Sequence, residues 1–117
     1  ARTGGTHAAA LLWPGEGIRA FAEDLGRHNA FDKAVGELLL CGETAAGGMM
    51  LLTGRISFEL VVKAVRAGIE IVAAVSAPTS LAVDLAERCG VTLCGFAREG
   101  RLSAFAHPGR IRPEAKA

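Results

Sequence analysis

A single α/β domain over residues 1–117 is the fold that the sequence predicts, on three observations. Between residues 49 and 96, apolar β-rich runs alternate with segments of helical spacing, and the links between them are short. Half of the residues are apolar, which is enough for one core with two faces. There is no run of 18 apolar residues that would span a membrane, and a mean hydropathy of +0.32 excludes a disordered tail.

The upstream part of the chain predicts a hairpin and a helix. Thr6 to Leu12 and Ile18 to Ala22 have the composition of two strands, and Pro14-Gly15 supplies the turn between them. Residues 29–40 have helical spacing. The side chains expected to face inward from this helix are Phe31, Ala34, Val35 and Leu38.

Residues 49–96 predict three parallel strands joined by two helices. Ser57 is a candidate N-cap of the first helix, Gly68 its stop, and Gly90 ends the second helix. Short links between such elements imply right-handed crossovers. The strands are Met49 to Leu52, Ile69 to Val75 and Val91 to Phe96, with a further strand at Leu102 to Ala106. The expected inner stripes are Phe58, Val61, Val62 and Val65, then Leu81, Leu85 and Cys89.

The three cysteines predict reduced thiols in a cytoplasmic protein. Cys41, Cys89 and Cys94 are odd in number, have no Cys-x-x-Cys spacing and lie in or beside apolar segments. We therefore expect them to be buried. The chain begins at Ala1-Arg2-Thr3 rather than at a methionine, which favours a piece of a larger protein.

The charge distribution points to an anionic ligand. The net charge of +1 gives no reason to expect nucleic acid or a membrane as a partner. Residues 1–87 carry seven basic and ten acidic side chains, whereas residues 88–117 carry six basic, mostly arginine, and two acidic ones. A ligand that contacts the last quarter of the chain is therefore expected to be an anion.

The carboxyl ends of the predicted parallel strands are the expected binding site, because loops and helix N-termini converge there. Arginines in these loops suit phosphate, since a guanidinium donates two parallel hydrogen bonds. The alternative is that the arginines are solvated and that Ser57 and Thr79 only cap helices. The residues gathered at this edge are Thr53, Gly54, Arg55, Ser57, Ser76, Pro78, Thr79, Phe96, Ala97, Arg98, Glu99, Gly100 and Arg101.

A second polar concentration lies at residues 23–33. Two carboxylates, Glu23 and Asp24, precede a glycine turn, and Arg27 and His28 stand at the expected helix start. His28 is a candidate general base or anion ligand, because histidine changes its charge near neutral pH. The alternative is structural: Asn29 or Asp24 caps the helix and the charges pair on the surface.

The spacing of potential ligands does not predict a metal site. His7, His28 and His107 are scattered, and the cysteines lack local pairs of the kind that hold zinc. Neither glycine pair, Gly4-Gly5 or Gly47-Gly48, is followed by the Gly-Lys-Ser/Thr of a phosphate-binding loop.

Five segments resemble signatures of the FdhD family, the formate dehydrogenase accessory sulfurtransferases. The resemblance runs from residue 1 to about Ile111, and the block at residues 23–33 is its most specific part. The segments are Thr3 to His7, Glu23 to Lys33, Thr53 to Ser57, Ser76 to Thr79 and Gly95 to Arg98.

This resemblance implies a fold and a function. The fold is a three-layer α/β/α sandwich with a mixed sheet, similar to cytidine deaminases, in a cytoplasmic homodimer. The function is that of a sulfur carrier, which takes sulfur from a cysteine desulfurase. It passes the sulfur to the molybdenum or tungsten bis-guanine-dinucleotide cofactor of formate dehydrogenase, for which GDP is a possible mimic. The family's guanine-dinucleotide contacts correspond to Phe96, Ala97, Arg98, Glu99, Gly100 and Arg101. The other residues expected to bind the cofactor are Arg27, His28, Thr53, Gly54, Arg55, Ser76 and Thr79.

The sequence departs from the family at the persulfide cysteine. The family's Cys-x-x-Cys lies upstream of the Thr-Gly-Gly signature, and this chain begins at that signature. We therefore expect the chain to keep cofactor-binding surface without carrying sulfur. A binding module without chemistry is an alternative. A deaminase is a weaker one, because no His-x-Glu or Pro-Cys-x-x-Cys is present.

Overall fold

The computed structural model describes residues 6–13, 15–98 and 101–110, which contain the predicted elements in the predicted order. The helices are α1 (Arg27–Leu40), α2 (Phe58–Ala67) and α3 (Ser80–Cys89), and a 3₁₀ turn spans Pro108–Arg110. The strands are β1 (His7–Trp13), β2 (Gly17–Asp24), β3 (Met49–Leu52), β4 (Ile71–Ala74), β5 (Thr92–Arg98) and β6 (Arg101–Ala106). Pro14 of the predicted hairpin turn lies outside the described residues.

The six strands form one mixed sheet in the order β2-β1-β3-β4-β5-β6. Strands β3, β4 and β5 are parallel, β1 is antiparallel to both β2 and β3, and β6 is antiparallel to β5. The predicted hairpin and the predicted parallel unit are both confirmed.

All three helices pack on one face of the sheet. Met50, Val72 and Leu93 are neighbours across β3, β4 and β5, so their side chains lie on the same face. They belong to a single core cluster with the buried residues of all three helices. The α/β class with a mixed sheet is therefore confirmed, and the described residues supply two layers of the expected sandwich, the sheet and one layer of helices.

The opposite face of the sheet is also apolar, but no described helix covers it. Ala10, Ala73 and Cys94 lie on this face and are buried. At the β2 edge of this face, apolar side chains are exposed to solvent: Ile18 is 63% exposed and Phe21 is 52% exposed. We call this surface the open face.

The predicted helix ends of α2 and α3 are confirmed. The hydroxyls of Ser57 and Thr79 accept hydrogen bonds from backbone N–H groups three residues on, at 3.3 and 3.1 Å. Gly68 and Gly90 end these helices in the left-handed conformation that glycine adopts without strain.

The predicted inner stripes of α2 and α3 are wrong in part. In α2 the buried residues include Leu60, whereas Phe58 is 40% exposed. In α3 the buried residues are Ala82 and Ala86, and Leu81 is 64% exposed. Alanine lets a helix approach its neighbours closely, so the inner face follows the small residues rather than the largest apolar ones. Val65 and Cys89, also expected to face inward, are exposed as well.

The expected burial of the cysteines holds only for Cys94 in β5, where burial raises the pKa of the thiol. Cys41 is exposed because it follows the last turn of α1, and Cys89 because the alanines occupy the inner face of α3. Among the described residues, no helix is both long and apolar enough to cross a membrane.

Thr92 links β5 to the 3₁₀ turn and offers a test of the fold. Its buried hydroxyl donates to the carbonyl oxygen of His107 at 2.7 Å and accepts from the guanidinium of Arg110 at 2.8 Å. We expect Thr92→Val to lower the free energy of unfolding by about 1–3 kcal/mol in urea titrations, because both partners lose the hydroxyl. Thr92→Ser keeps the hydroxyl and should lose less, so an equal loss in both variants would contradict this role.

Candidate functional site

One edge of the sheet collects the polar residues that the sequence placed in two separate regions. Strands β3, β4 and β5 all end at this edge, and helices α2 and α3 begin there. Because β1 is antiparallel to β3, its first residue, His7, lies at the same edge opposite Asp24, the last residue of β2. Helix α1 begins three residues after Asp24, so the block at residues 23–33 joins the predicted edge.

The loops at this edge are tied together through their backbones. The N–H of Thr79 donates to the carbonyl of Ile56 at 3.0 Å, and the N–H of Phe96 donates to the carbonyl of Ser76 at 3.4 Å. The loops after β3 and β4 are thus in contact, and the loop after β4 also contacts the end of β5. Since the hydroxyl of Thr79 caps α3, its oxygen is engaged in the fold.

A cavity of about 410 Å³ lies at the β5–β6 end of this edge. Arg98 and Arg101 both line it and stand directly opposite each other as partners across the two strands. Like charges in that position repel, and no carboxylate among the described residues pairs with either guanidinium. An anion bound between them would relieve the repulsion. The full lining is Phe96, Arg98, Arg101, Leu102 and Ser103.

Phe96 presents a flat aromatic surface to this cavity. Its φ of 54° is unusual for a residue with a side chain, and the residue is 45% exposed. The pairing of β5 with β6 is irregular between Gly95 and Arg98, and half-buried Ala97 lies within this bulge. A bulge of this kind redirects side chains next to functional sites. Phe105 supports the Phe96 ring, with centroids 6.1 Å apart.

A second cluster surrounds Gly54 at the end of β3. A Cβ atom on Gly54 would lie 3.1 Å from both Cδ of Arg27 and Nδ1 of His7, so only glycine fits without displacing them. The hydroxyl of Thr53 accepts from the N–H of Ala8 at 3.0 Å, which holds the turn against β1. Arg55, next to this turn, is exposed.

The carboxylate of Asp24 fixes the start of α1. It accepts from the N–H of Gly26 at 3.0 Å and from the side-chain amide of Asn29 at 3.3 Å, and it pairs with Lys33 at 2.7 Å. Lys33, followed by these hydrogen bonds, lowers the pKa of Asp24 to about 2. The helix begins at Arg27, two residues earlier than predicted, with Gly26 as N-cap and no side-chain cap. The structural alternative is therefore wrong in its choice of Asn29 or Asp24 as the N-cap, but its pairing of charges is present between Asp24 and Lys33.

His28 is neutral at pH 7 in this environment. Its pKa lies below the ordinary value of 6.5, first because the ring is partly buried and then because Lys63 and Arg27 are positively charged nearby. A neutral imidazole can accept or donate a hydrogen bond but contributes no charge to an anion site.

The structure separates the predicted site residues into two groups on one edge. The first group is Phe96, Arg98 and Arg101 around the cavity, and the carbonyl of Ser76 accepts from the N–H of Phe96. The second group is Arg27 and Gly54 at the end of β3. Glu99 and Gly100 lie outside the described residues. Nothing in the sequence predicted a role at this site for His7, Leu102 or Ser103. In the parts of the chain that the structure describes, no group of three or more His, Cys, Asp or Glu side chains could hold a metal ion.

The fold defines a class of protein, an α/β domain of deaminase-like fold. A dCMP deaminase from the cyanophage S-TIM5 has this fold, with a TM-score of 0.59 and 17% identity. The match covers 74% of this chain and 77% of that one. The solved structure of a putative formate dehydrogenase accessory protein from Desulfotalea psychrophila is more similar, with a TM-score of 0.84 and 36% identity. That match covers 95% of this chain and 49% of the other.

The chain belongs to the FdhD/NarQ family, whose model matches residues 1–112. The sulfur carrier protein FdhD of Thermoplasma acidophilum is 48% identical over 112 residues, which are 96% of this chain and 40% of the relative. The protein of the same name from Cupriavidus necator is 49% identical over 113 residues, 97% of this chain and 39% of the relative. The chain thus spans about two fifths of the length of these relatives, and the family resemblance of its sequence is confirmed.

The lowered pKa of His28 predicts a loss of stability in mild acid. Below pH 6.5 the unfolded chain binds a proton at His28 more readily than the folded chain does, so the free energy of unfolding falls as the pH drops. His28→Gln removes this contribution. Urea titrations at about pH 7.5 and 5.5 should therefore show a larger acid-induced loss for the unmodified chain than for the variant. Equal losses would contradict the burial of the imidazole.

Proposed function

We propose that this chain supplies the nucleotide-binding surface of a sulfur carrier that serves formate dehydrogenase. The relatives named as sulfur carrier proteins support the general role. The observation that carries the proposal is the facing pair of Arg98 and Arg101 in one cavity with the exposed ring of Phe96.

The cavity matches the chemistry of a nucleoside diphosphate. Two guanidinium groups provide paired donors for phosphate oxygens, and the ring of Phe96 provides a surface on which a purine base stacks. A volume of about 410 Å³ falls within the usual range of small-molecule sites. The ligand we propose is a guanine dinucleotide arm of the molybdenum or tungsten bis-guanine-dinucleotide cofactor, which is cargo rather than a resident group of this chain.

In this proposal the sulfur comes from a cysteine desulfurase and travels as a persulfide on a cysteine other than Cys41, Cys89 or Cys94. Cys41 and Cys89 are exposed, so burial would not prevent these two thiols from receiving sulfur. We exclude all three cysteines because none of them belongs to a Cys-x-x-Cys pair. The desulfurase, formate dehydrogenase, a second copy of the chain and a cytoplasmic location are further parts of the proposal.

The nucleotide site is tested by calorimetric titration with GDP. We expect Arg98→Ala and Arg101→Ala each to weaken binding by roughly 5- to 150-fold, the equivalent of about 1–3 kcal/mol for a lost charge-assisted hydrogen bond. Arg66→Ala is the matched control, because Arg66 is an exposed arginine in the last turn of α2, away from this edge. Unchanged affinity in both cavity variants, or no binding of GDP at all, would contradict the proposal.

The assignment of sulfur transfer to another cysteine has its own test. The chain is incubated with a cysteine desulfurase and L-cysteine, and its mass is measured without reducing agent. We expect no gain of one sulfur atom, because no cysteine here belongs to the paired motif. A gain that disappears in Cys41→Ser or Cys89→Ser would show that the exposed thiol carries sulfur and would overturn the assignment.

A further inference from the structure

Side chains of α1 bond to the backbone along the outer edge of β2. Strand β2 is the last strand on one side of the sheet, so among the described residues no strand pairs with this edge. The N–H of Phe21 donates to the carboxylate of Glu37 at 3.2 Å, and the carbonyl of Glu23 accepts from the ammonium group of Lys33 at 3.3 Å. A carboxylate and an ammonium group thus occupy positions at which a neighbouring strand would supply the hydrogen bonds.

The repeat of the helix matches the repeat of the strand at this contact. Lys33 and Glu37 are four positions apart on one face of α1, a rise of about 6 Å along the helix. Phe21 and Glu23 are two positions apart in β2, a rise of about 6.6 Å, and their backbone groups point to the same side. One face of α1 can therefore serve two successive outward-facing positions of the strand.

Two further features lie along the same strand. The guanidinium of Arg19 bonds to Glu16 at 2.6 Å and to Glu43, beyond the end of α1, at 2.9 Å. The register of β1 with β2 shifts between Leu11 and Leu12, and this shift leaves Arg19 without a partner in β1. Charged side chains and bulges are features by which edge strands resist pairing with another chain.

The edge would otherwise suit a second copy of this chain. Ile18 and Phe21 are 63% and 52% exposed beside it, and exposed apolar side chains next to free backbone groups favour strand pairing. Two copies of β2 could pair antiparallel about a twofold axis, which would join the two sheets and stop at a dimer.

We propose that Glu37 and Lys33 close the outer edge of β2 against strand pairing with a second copy of this chain. Glu37 is the residue to test, because Lys33 also pairs with Asp24 at 2.7 Å and so contributes to the start of α1. The proposal is independent of the nucleotide site, since β2 and the β5–β6 pair lie at opposite sides of the sheet.

Sedimentation velocity from micromolar to millimolar concentration tests the proposal. We expect Glu37→Ala to associate as its concentration rises, toward twice the mass of the species that the unmodified chain forms, because the N–H of Phe21 becomes available. Alanine favours helix, so α1 should stay folded. Glu37→Gln keeps an acceptor oxygen and should sediment like the unmodified chain.

Two outcomes of this comparison contradict the proposal. If Glu37→Ala sediments like the unmodified chain at every concentration, the carboxylate does not close the edge. If Glu37→Gln associates as strongly as Glu37→Ala, the hydrogen bond to Phe21 is not what prevents pairing. A dimer that forms through another surface is common to all variants and is the baseline of the comparison.

Hydrogen exchange at the amide of Phe21 identifies the contact surface. In Glu37→Ala this amide should exchange several-fold faster than in the unmodified chain at low concentration, because it has lost its acceptor. At high concentration it should become protected again, since the second copy supplies a carbonyl. Association without this renewed protection would place the contact elsewhere and overturn the proposal.

Matched variants control for charge and for the backbone donor. Glu59→Ala removes an exposed carboxylate from α2 instead of α1 and should not associate. Phe21→Pro, added to Glu37→Ala, removes the N–H and should abolish association, whereas Phe21→Ala in the same background keeps the N–H and should still associate. Proline is tolerated where the N–H of an edge strand points outward. Association of the proline variant equal to that of Glu37→Ala would overturn the proposal.

Discussion

The parallel pairing of β3, β4 and β5 is the constraint on which the rest of the structure depends. It brings three strand ends and two helix starts to one edge, and the short connections place the crossover helices on one face. The antiparallel pairing of β1 with β3 then adds His7 to the same edge. A shift of β3 by one residue would move Met50 out of the core and Gly54 away from Arg27, so core and site are specified by one register.

The fold could be predicted from sequence wherever local chemistry determines it. Hydroxyl caps and glycine stops marked the ends of α2 and α3, and apolar β-rich runs marked the parallel strands. The inner face of α3 could not be found this way, because it is set by how closely Ala82 and Ala86 approach their neighbours rather than by hydrophobicity. The start of α1 was missed because its N-cap, Gly26, has no side chain that could mark the helix start in the sequence.

The position of the candidate site could be predicted in outline, because the rule for open α/β sheets selected the arginines at the end of β5 and beyond it. The geometry of the candidate site could not be predicted from the sequence. Arg98 and Arg101 lie opposite each other because of the bulge between β5 and β6. The positive φ of Phe96 could not be predicted either, because the residue is not a glycine, which would have marked it in the sequence. The contact of His7 with Gly54 joins residues 47 positions apart, which only the register of β1 with β3 determines.

The open face is a different surface of the molecule from the edge at which β3, β4 and β5 end. A layer packed on it would cover Ile18 and Phe21, which are 63% and 52% exposed. Ala10, Ala73 and Cys94 are already buried, so such a layer would gain little burial there and more at the β2 edge of the sheet.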